Sequence, residues 1–344
     1  MSDISFTASA EDAQRAAAIA SVYPTVRFIP RLPEKLPDCV QIKRLGDKKG
    51  SEVTEWLESI FVKYASGDSP EFKAPKPLPN RFWQDFIDLN GIQLHVRRSN
   101  GNSRPVILQH EIGDDNNCLS RLTNSEINAI AFDMPCHGES DNFNLDKTYN
   151  LETVSDCLSS AIKKIGIDDF DFISIQNSSA ISINICENLL NKVNKLYLVN
   201  FQYISNSEKK EFYDKFSFEI NPGRYGEHLI KCWNFLRDQS LFYPWYNNKK
   251  ENLILNQSNL DINYLHERVI SLLKAENSWH KMCRMLANVD ENSLLDSSKV
   301  NIGFAGNKSH PHYRFKAKLM QDKGDSKWTE LNDSPLSLIK QILG

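Results

Sequence analysis

Two periodicities divide the chain. From Phe82 onward, short apolar runs alternate with amphipathic stretches. Phe86–Leu89 and Ile92–Val96 read as two strands joined by Asn90-Gly91, a pair that favours the two-residue hairpin turn. Pro105–Gln109 and Ile127–Phe132 are short, apolar on both faces, and predict buried strands. Leu151–Ile165 has helical spacing. A strand is then expected over Phe170–Ile175, a helix over Ile181–Leu190 and a strand over Lys195–Asn200. Val300–Ala305 predicts a late strand and Leu336–Leu343 a final helix. Such alternation implies a doubly wound, mostly parallel α/β sheet.

Two regions break the pattern. Residues 201–299 are largely helical and aromatic-rich, as expected of a helical cap inserted between the two parts of the core, 81–200 and 300–344. Residues 1–80 form an N-terminal extension of mixed helix and irregular sequence. Ala10–Ser21 is helix-prone, prolines punctuate Tyr23–Leu36, and Ser51–Tyr64 opens on a capping signature. Its apolar face comprises Val53, Trp56, Leu57, Ile60 and Phe61. With Val26–Ile29, that face is expected to bury against the main domain, a second copy or a protein partner.

Composition narrows the classes. The 344 residues are 40% hydrophobic and 25% charged, with a net charge of -3. There is no basic stripe for nucleic acid and no apolar run long enough for a membrane span, and the Met1 region lacks a basic start followed by an apolar core, so no secretory signal is expected. The seven cysteines are odd in number and widely spaced, without Cys-x-x-Cys, the usage of reduced thiols in a cytoplasmic protein. No cofactor and no metal are expected. Glycine is scarce, and His310-Pro311-His312 lacks a third ligand at recognisable spacing.

Three segments carry a resemblance. Val106-Ile107-Leu108-Gln109-His110-Glu111 looks like a strand running into an oxyanion loop. Phe132-Asp133-Met134-Pro135-Cys136-His137-Gly138-Glu139-Ser140-Asp141 matches an Asp-x-Pro-Gly-His-Gly-x-Ser turn. Ile165–Asn200 matches helix, strand, elbow, helix and strand without a gap. Across residues 82–344 the chain thus resembles the α/β-hydrolase superfamily, and specifically a member with a degenerate triad. That resemblance places Gln176 at the nucleophile position of the Gly-x-Ser-x-Gly elbow, with Ser174 and Ser178 as its small flanks. It puts His110 and Glu111 in the oxyanion loop and Ser309 where the acid belongs. The catalytic histidine is expected after the last strand, yet Trp328–Pro335 contains none.

A glutamine amide is no useful nucleophile. A carboxylate at Glu111 would oppose a developing oxyanion. The resemblance therefore implies a scaffold without serine-hydrolase chemistry. The leading expectation is a non-catalytic protein that binds a small molecule or a protein partner. An enzyme of altered chemistry in the same pocket (lyase, acyltransferase or atypical hydrolase) and a structural subunit of a biosynthetic complex remain alternatives. His310 and His312 lie just past the acid loop and leave a rebuilt site open. For a ligand, the pocket candidates are Asn177, Trp233, Tyr243, Trp245 and His280, walling a mainly apolar cavity for a small apolar ligand. His110 is expected to bond the loop backbone, and Asp133 and His137 to hold their turn. Ser178 and Ser179 are expected either to cap the next helix or to help hold an anion there.

Overall fold

The computed structural model describes residues 83–99, 101–117, 127–142, 150–254, 260–324, 328–332 and 338–343. The expectations for residues 1–80 lie outside them. Eight strands form one sheet: β1 (Trp83–Asp88), β2 (Gln93–Arg98), β3 (Val106–Gln109), β4 (Ala129–Phe132), β5 (Phe170–Ile175), β6 (Val193–Val199), β7 (Ile302–Asn307) and β8 (Trp328–Leu331). Their spatial order is β1-β2-β4-β3-β5-β6-β7-β8. β2 runs antiparallel to β1 and β4, and every other pairing is parallel. The β1–β2 turn is made by Asn90 and Gly91, both at positive φ (57° and 92°), as the Asn-Gly pair predicts.

Helix α1 (Leu151–Ile165) has the predicted boundaries, and the reason is local. Asn150 accepts the Thr153 N–H at 2.8 Å as N-cap, and Gly166 closes the helix in the left-handed conformation. Leu151, Val154, Leu158 and Ile162 form its buried face. Truncating any one of these to alanine costs about 2–5 kcal/mol. α2 (Ser179–Asn188) packs beside α1 on the same face of the sheet. Strand residues alternate between the faces. On β3, Ile107 joins the larger apolar cluster, while Val106 and Leu108 join a second one that includes Ile339 of α8 (Leu338–Leu343). The described cysteines Cys136, Cys157, Cys186, Cys232 and Cys283 are free thiols.

Four helices occupy the stretch between β6 and β7: α3 (Asn206–Phe216), α4 (Glu227–Leu241), α5 (Ile262–Leu286) and α6 (Glu291–Ser297). Ser205 and Glu208 close a full capping box on α3. Glu276, at φ 48° and ψ -134°, kinks α5. Phe218, Phe235, Trp245 and Trp279 pack mostly edge to face, with ring centroids 5.1–5.4 Å apart in four of the pairs. The buried stripe of α4 is Cys232, Phe235 and Leu236, whereas Leu229 is 46% exposed. Leu229, Trp233 and Leu236 recur at helical spacing in the sequence, yet of these three only Leu236 is fully buried. A short α7 (Lys316–Lys323) then joins β7 to β8. Among the described residues, no helix is long and apolar enough to cross a membrane.

Candidate functional site

Strand order reverses at β3, which has β4 on one side and β5 on the other. Ligands of open α/β sheets bind beyond the carboxyl ends of strands at such a point. Here His110 and Glu111 follow β3, Gln176 follows β5, Gln202 follows β6, and Ser309 follows β7. A cavity of about 270 Å³ opens over these ends.

The elbow is intact as backbone. Gln176 has φ 51°, a left-handed conformation that a side-chain-bearing residue adopts only under constraint. The constraint is visible on both flanks. The Ser174 and Ser178 hydroxyls meet at 2.9 Å, and Ser178 Oγ also donates to the Ile175 carbonyl at 2.8 Å. Only small side chains permit that approach. Ser179 Oγ bonds the Gln176 carbonyl at 3.2 Å and the Glu291 carboxylate. Lys209 Nζ lies 2.8 Å from the other Glu291 oxygen, and both residues are buried. The capping expectation for Ser178 fails, since its side chain turns back to the strand rather than to the helix N–H groups.

Asn177 is oriented by the β3 loop. Its Oδ1 accepts the Ile112 N–H at 2.7 Å. His110 lies deeper. Its Nε2 accepts the Met134 N–H at 3.0 Å, so Nδ1 carries the proton and donates to the Glu111 carbonyl at 2.8 Å. Both ring nitrogens thus serve the backbone. Glu111 pairs with Arg268 of α5, whose Nε also lies 3.4 Å from Asp114 Oδ2. Burial pushes the Glu111 carboxyl above the ordinary carboxylate range; Arg268 pulls against the rise and Asp114 adds to it.

Beyond β7, Ser309 bonds Asn307 Oδ1 at 2.6 Å and lines the cavity, together with His310 and His312. His312 Nδ1 donates to the Asn200 carbonyl at 2.7 Å. Burial lowers the His312 pKa to about 4, the bond to Asn200 opposing it, and carries His310 well below its ordinary value. Trp328–Leu331 is itself the last strand, so the histidine position falls just beyond it, where the sequence to Gly344 has no histidine.

Of the pocket candidates, Asn177, Tyr243 and Trp245 line the cavity with Gln176 and Glu111. Trp233 and His280 do not. Trp233 packs against the apolar core, and His280 Nδ1 lies 2.9 Å from Ser217 Oγ within the cap. The apolar character expected of the cavity is also corrected. Asn200, Gln202, Gln239 and Asn307 bring four further amides to the wall, beside the Glu111–Arg268 pair. A partially formed polar wall of this kind favours a ligand with hydrogen-bonding groups over a purely apolar one. Arg268 was missed because it meets Glu111 across 157 residues, and no local pattern announces such a pair. Asn200 had a signal: asparagine at a strand end tolerates the positive φ of 53° found there. No group of His, Cys, Asp and Glu among the described residues has the makings of a metal site.

No protein-family model matches the chain, and no curated protein matches it in sequence. Solved structures do match in fold. A Vigna radiata epoxide hydrolase mutant superposes with a TM-score of 0.56 at 12% identity, over 76% of this chain and 95% of that one. A mutant of the N-acyl homoserine lactonase AidH complexed with N-hexanoyl homoserine superposes with a TM-score of 0.51 at 11% identity, over 66% and 78% of the two chains. The protein has the α/β-hydrolase fold.

Proposed function

We propose that this protein binds a small polar molecule over the β5 elbow and is not a serine hydrolase. The observation that carries the reading is the bond from Ile112 N–H to Asn177 Oδ1. In hydrolases of this fold, an N–H of the β3 loop is one of the two oxyanion donors. Here an internal carbonyl oxygen already occupies such a donor. Loss of one oxyanion donor costs about 10²–10³ in rate by itself. The neighbouring Glu111 carboxylate makes negative charge at that place less favourable still. Gln176 supplies no nucleophile, and Ser309 supplies no carboxylate to orient a base.

What the elbow does supply is recognition. Gln176 has both an amide donor and an amide acceptor, held on strained backbone at the cavity wall. The amides of Asn200, Gln202, Gln239 and Asn307 belong to the same cavity wall. The test is turnover of p-nitrophenyl acetate and p-nitrophenyl butyrate. The expected rate is that of the Gln176→Ala variant. A faster rate that Gln176→Ala abolishes would overturn the reading.

His312 supports a second reading, an enzyme of altered chemistry. It lines the cavity, and with Nδ1 donating to Asn200 its Nε2 is an acceptor. A base of pKa about 4 is weak at neutral pH, which places this reading second. Turnover of any substrate that His312→Asn removes, with binding retained, would promote it.

A further inference from the structure

The charges and unpaired acceptors around the cavity specify more than a polar ligand. Glu111, Asp114 and Asp115 are 7%, 4% and 6% exposed, three carboxylates within five residues of the β3 loop, of which Glu111 lines the cavity and the two aspartates lie behind it. Arg268 is shared between Glu111 and Asp114. Asp115 is held by the Asn117 N–H at 3.0 Å, a neutral donor. Two neighbouring groups do not redress the balance. Lys274 pairs with Glu139, and His110 is neutral because its Nε2 accepts a backbone N–H. Buried charge of one sign is costly unless an opposite charge meets it.

Two acceptor atoms point to where that charge enters. Arg268 bonds Oε1 of Glu111, and among the described residues no protein donor meets Oε2, although Glu111 lines the cavity. Gln239 Oε1 is buried, has no hydrogen-bond partner, and belongs to another wall residue. An unpaired buried acceptor calls for a donor. The rest of the wall includes Phe212, Phe216 and Trp245, together with Tyr243 and Tyr264, whose rings already meet the guanidinium groups of Arg314 and Arg268 at 4.9 and 5.9 Å. Aromatic faces carry negative electrostatic potential and attract cations, most strongly once water is excluded.

We infer that the cavity takes a small organic cation, a protonated amine on a short apolar stem, with the ammonium toward Glu111 and Gln239 and the stem against the aromatic wall. The inference deepens the binding role proposed above and rests on it. A ligand carboxylate would have to take Arg268 from Glu111 and would leave three buried carboxylates without it. A neutral alcohol would satisfy one acceptor but none of the charge.

Three near-isosteric probes separate these cases: benzylammonium, benzyl alcohol and benzoate, titrated calorimetrically into the full-length chain at neutral pH and matched ionic strength. Benzylammonium is expected to bind about tenfold or more tightly than benzyl alcohol, with benzoate weakest. Glu111→Gln should bring the ammonium to the level of the alcohol on the same variant. Equal binding of ammonium and alcohol to the parent protein, or tighter binding of benzoate, overturns the cation inference and leaves the binding role standing. Absence of binding by all three overturns both. The comparison on the parent protein decides the matter even if the variant is unstable.

Discussion

The turn after β4 and the elbow after β5 are both tight, both strained and both placed at the carboxyl edge of the sheet, yet they are built to opposite ends. In the β4 turn, the polar groups of Asp133 are consumed internally. Its carboxylate takes His95 Nδ1 at 2.7 Å, the Asn116 N–H at 2.6 Å and the Glu139 N–H at 2.9 Å. Burial pushes the Asp133 carboxyl up, but the His95 bond and the two backbone donors hold it below the ordinary range. At the elbow, Gln176 presents its amide to the cavity. The first turn keeps the residues its resemblance implies except one, Cys136 at φ 62° where the motif has glycine, and the second turn departs at its central position. Residues that hold backbone in place fit the resemblance, whereas amides and a hydroxyl stand at the positions where it implies hydrolytic groups.

The sharpest way to break this comparison is to swap glycine and side chain between the two turns. At Gly138 (φ 56°) an added Cβ would stand 2.1 Å from Asp133 Oδ2, in the midst of that network. Gly138→Ala should therefore cost more than about 4 kcal/mol or abolish folding, read by urea denaturation. At the elbow the opposite change is benign. Gln176→Gly removes a side chain from a left-handed position and should leave stability unchanged or raise it by up to about 1 kcal/mol. A large loss there would mean that Gln176 is a structural residue.

Next in size is the support beneath the elbow. Lys209→Met leaves the Glu291 carboxylate buried and bonded only to Ser179, and should cost about 3–5 kcal/mol. Replacing both partners, Lys209→Met with Glu291→Leu, should recover much of that loss. Failure of the double variant to recover would place the weight on the Ser179 contact instead.

Acid sharpens the contrast further. Burial lowers His137 to about 3 and His312 to about 4, so each stays neutral in the folded protein while it would titrate near 6.5 unfolded. A lowered histidine gives stability that is complete above its unfolded pKa and is lost as pH falls through the folded one. Stability from these two should decline from about pH 6.5 toward pH 3. Glu111 and Asp115, both raised chiefly by burial, act in the opposite sense across part of that range. The informative quantity is thus the difference between parent and His312→Asn. The variant's urea midpoint should depend less steeply on pH. Parallel curves would show that His312 is not held neutral by burial.

Much of the scaffold could be read from sequence because its determinants are local. Asn90-Gly91 specifies its own hairpin, and Asn150 and Gly166 bound α1 from within a few residues. The small pair Ser174 and Ser178 marks an elbow whatever stands between them. The site was legible only where the scaffold located it, at Gln176, Glu111, Asn177 and Ser309. Cap residues resisted the same reasoning. A helix rich in apolar residues does not announce its phase: Cys232, Phe235 and Leu236 form the buried stripe, and Trp233 lies outside the cavity lining. The polarity of the wall arises from loops far apart in sequence, and Arg268 reaches Glu111 only through the folding of α5 over the β3 loop.

The central claim is that the elbow has kept its geometry and lost its chemistry. It is tested most directly by intact-mass measurement after exposure to a fluorophosphonate probe, on the parent protein and on Gln176→Ser. No adduct is expected on the parent. None is expected on Gln176→Ser either, because an unactivated serine beside an occupied oxyanion donor is a poor nucleophile. Stoichiometric labelling of Ser174, Ser178 or Ser179 in the parent, or of the new serine in the variant, would contradict the account by showing that an activating base survives.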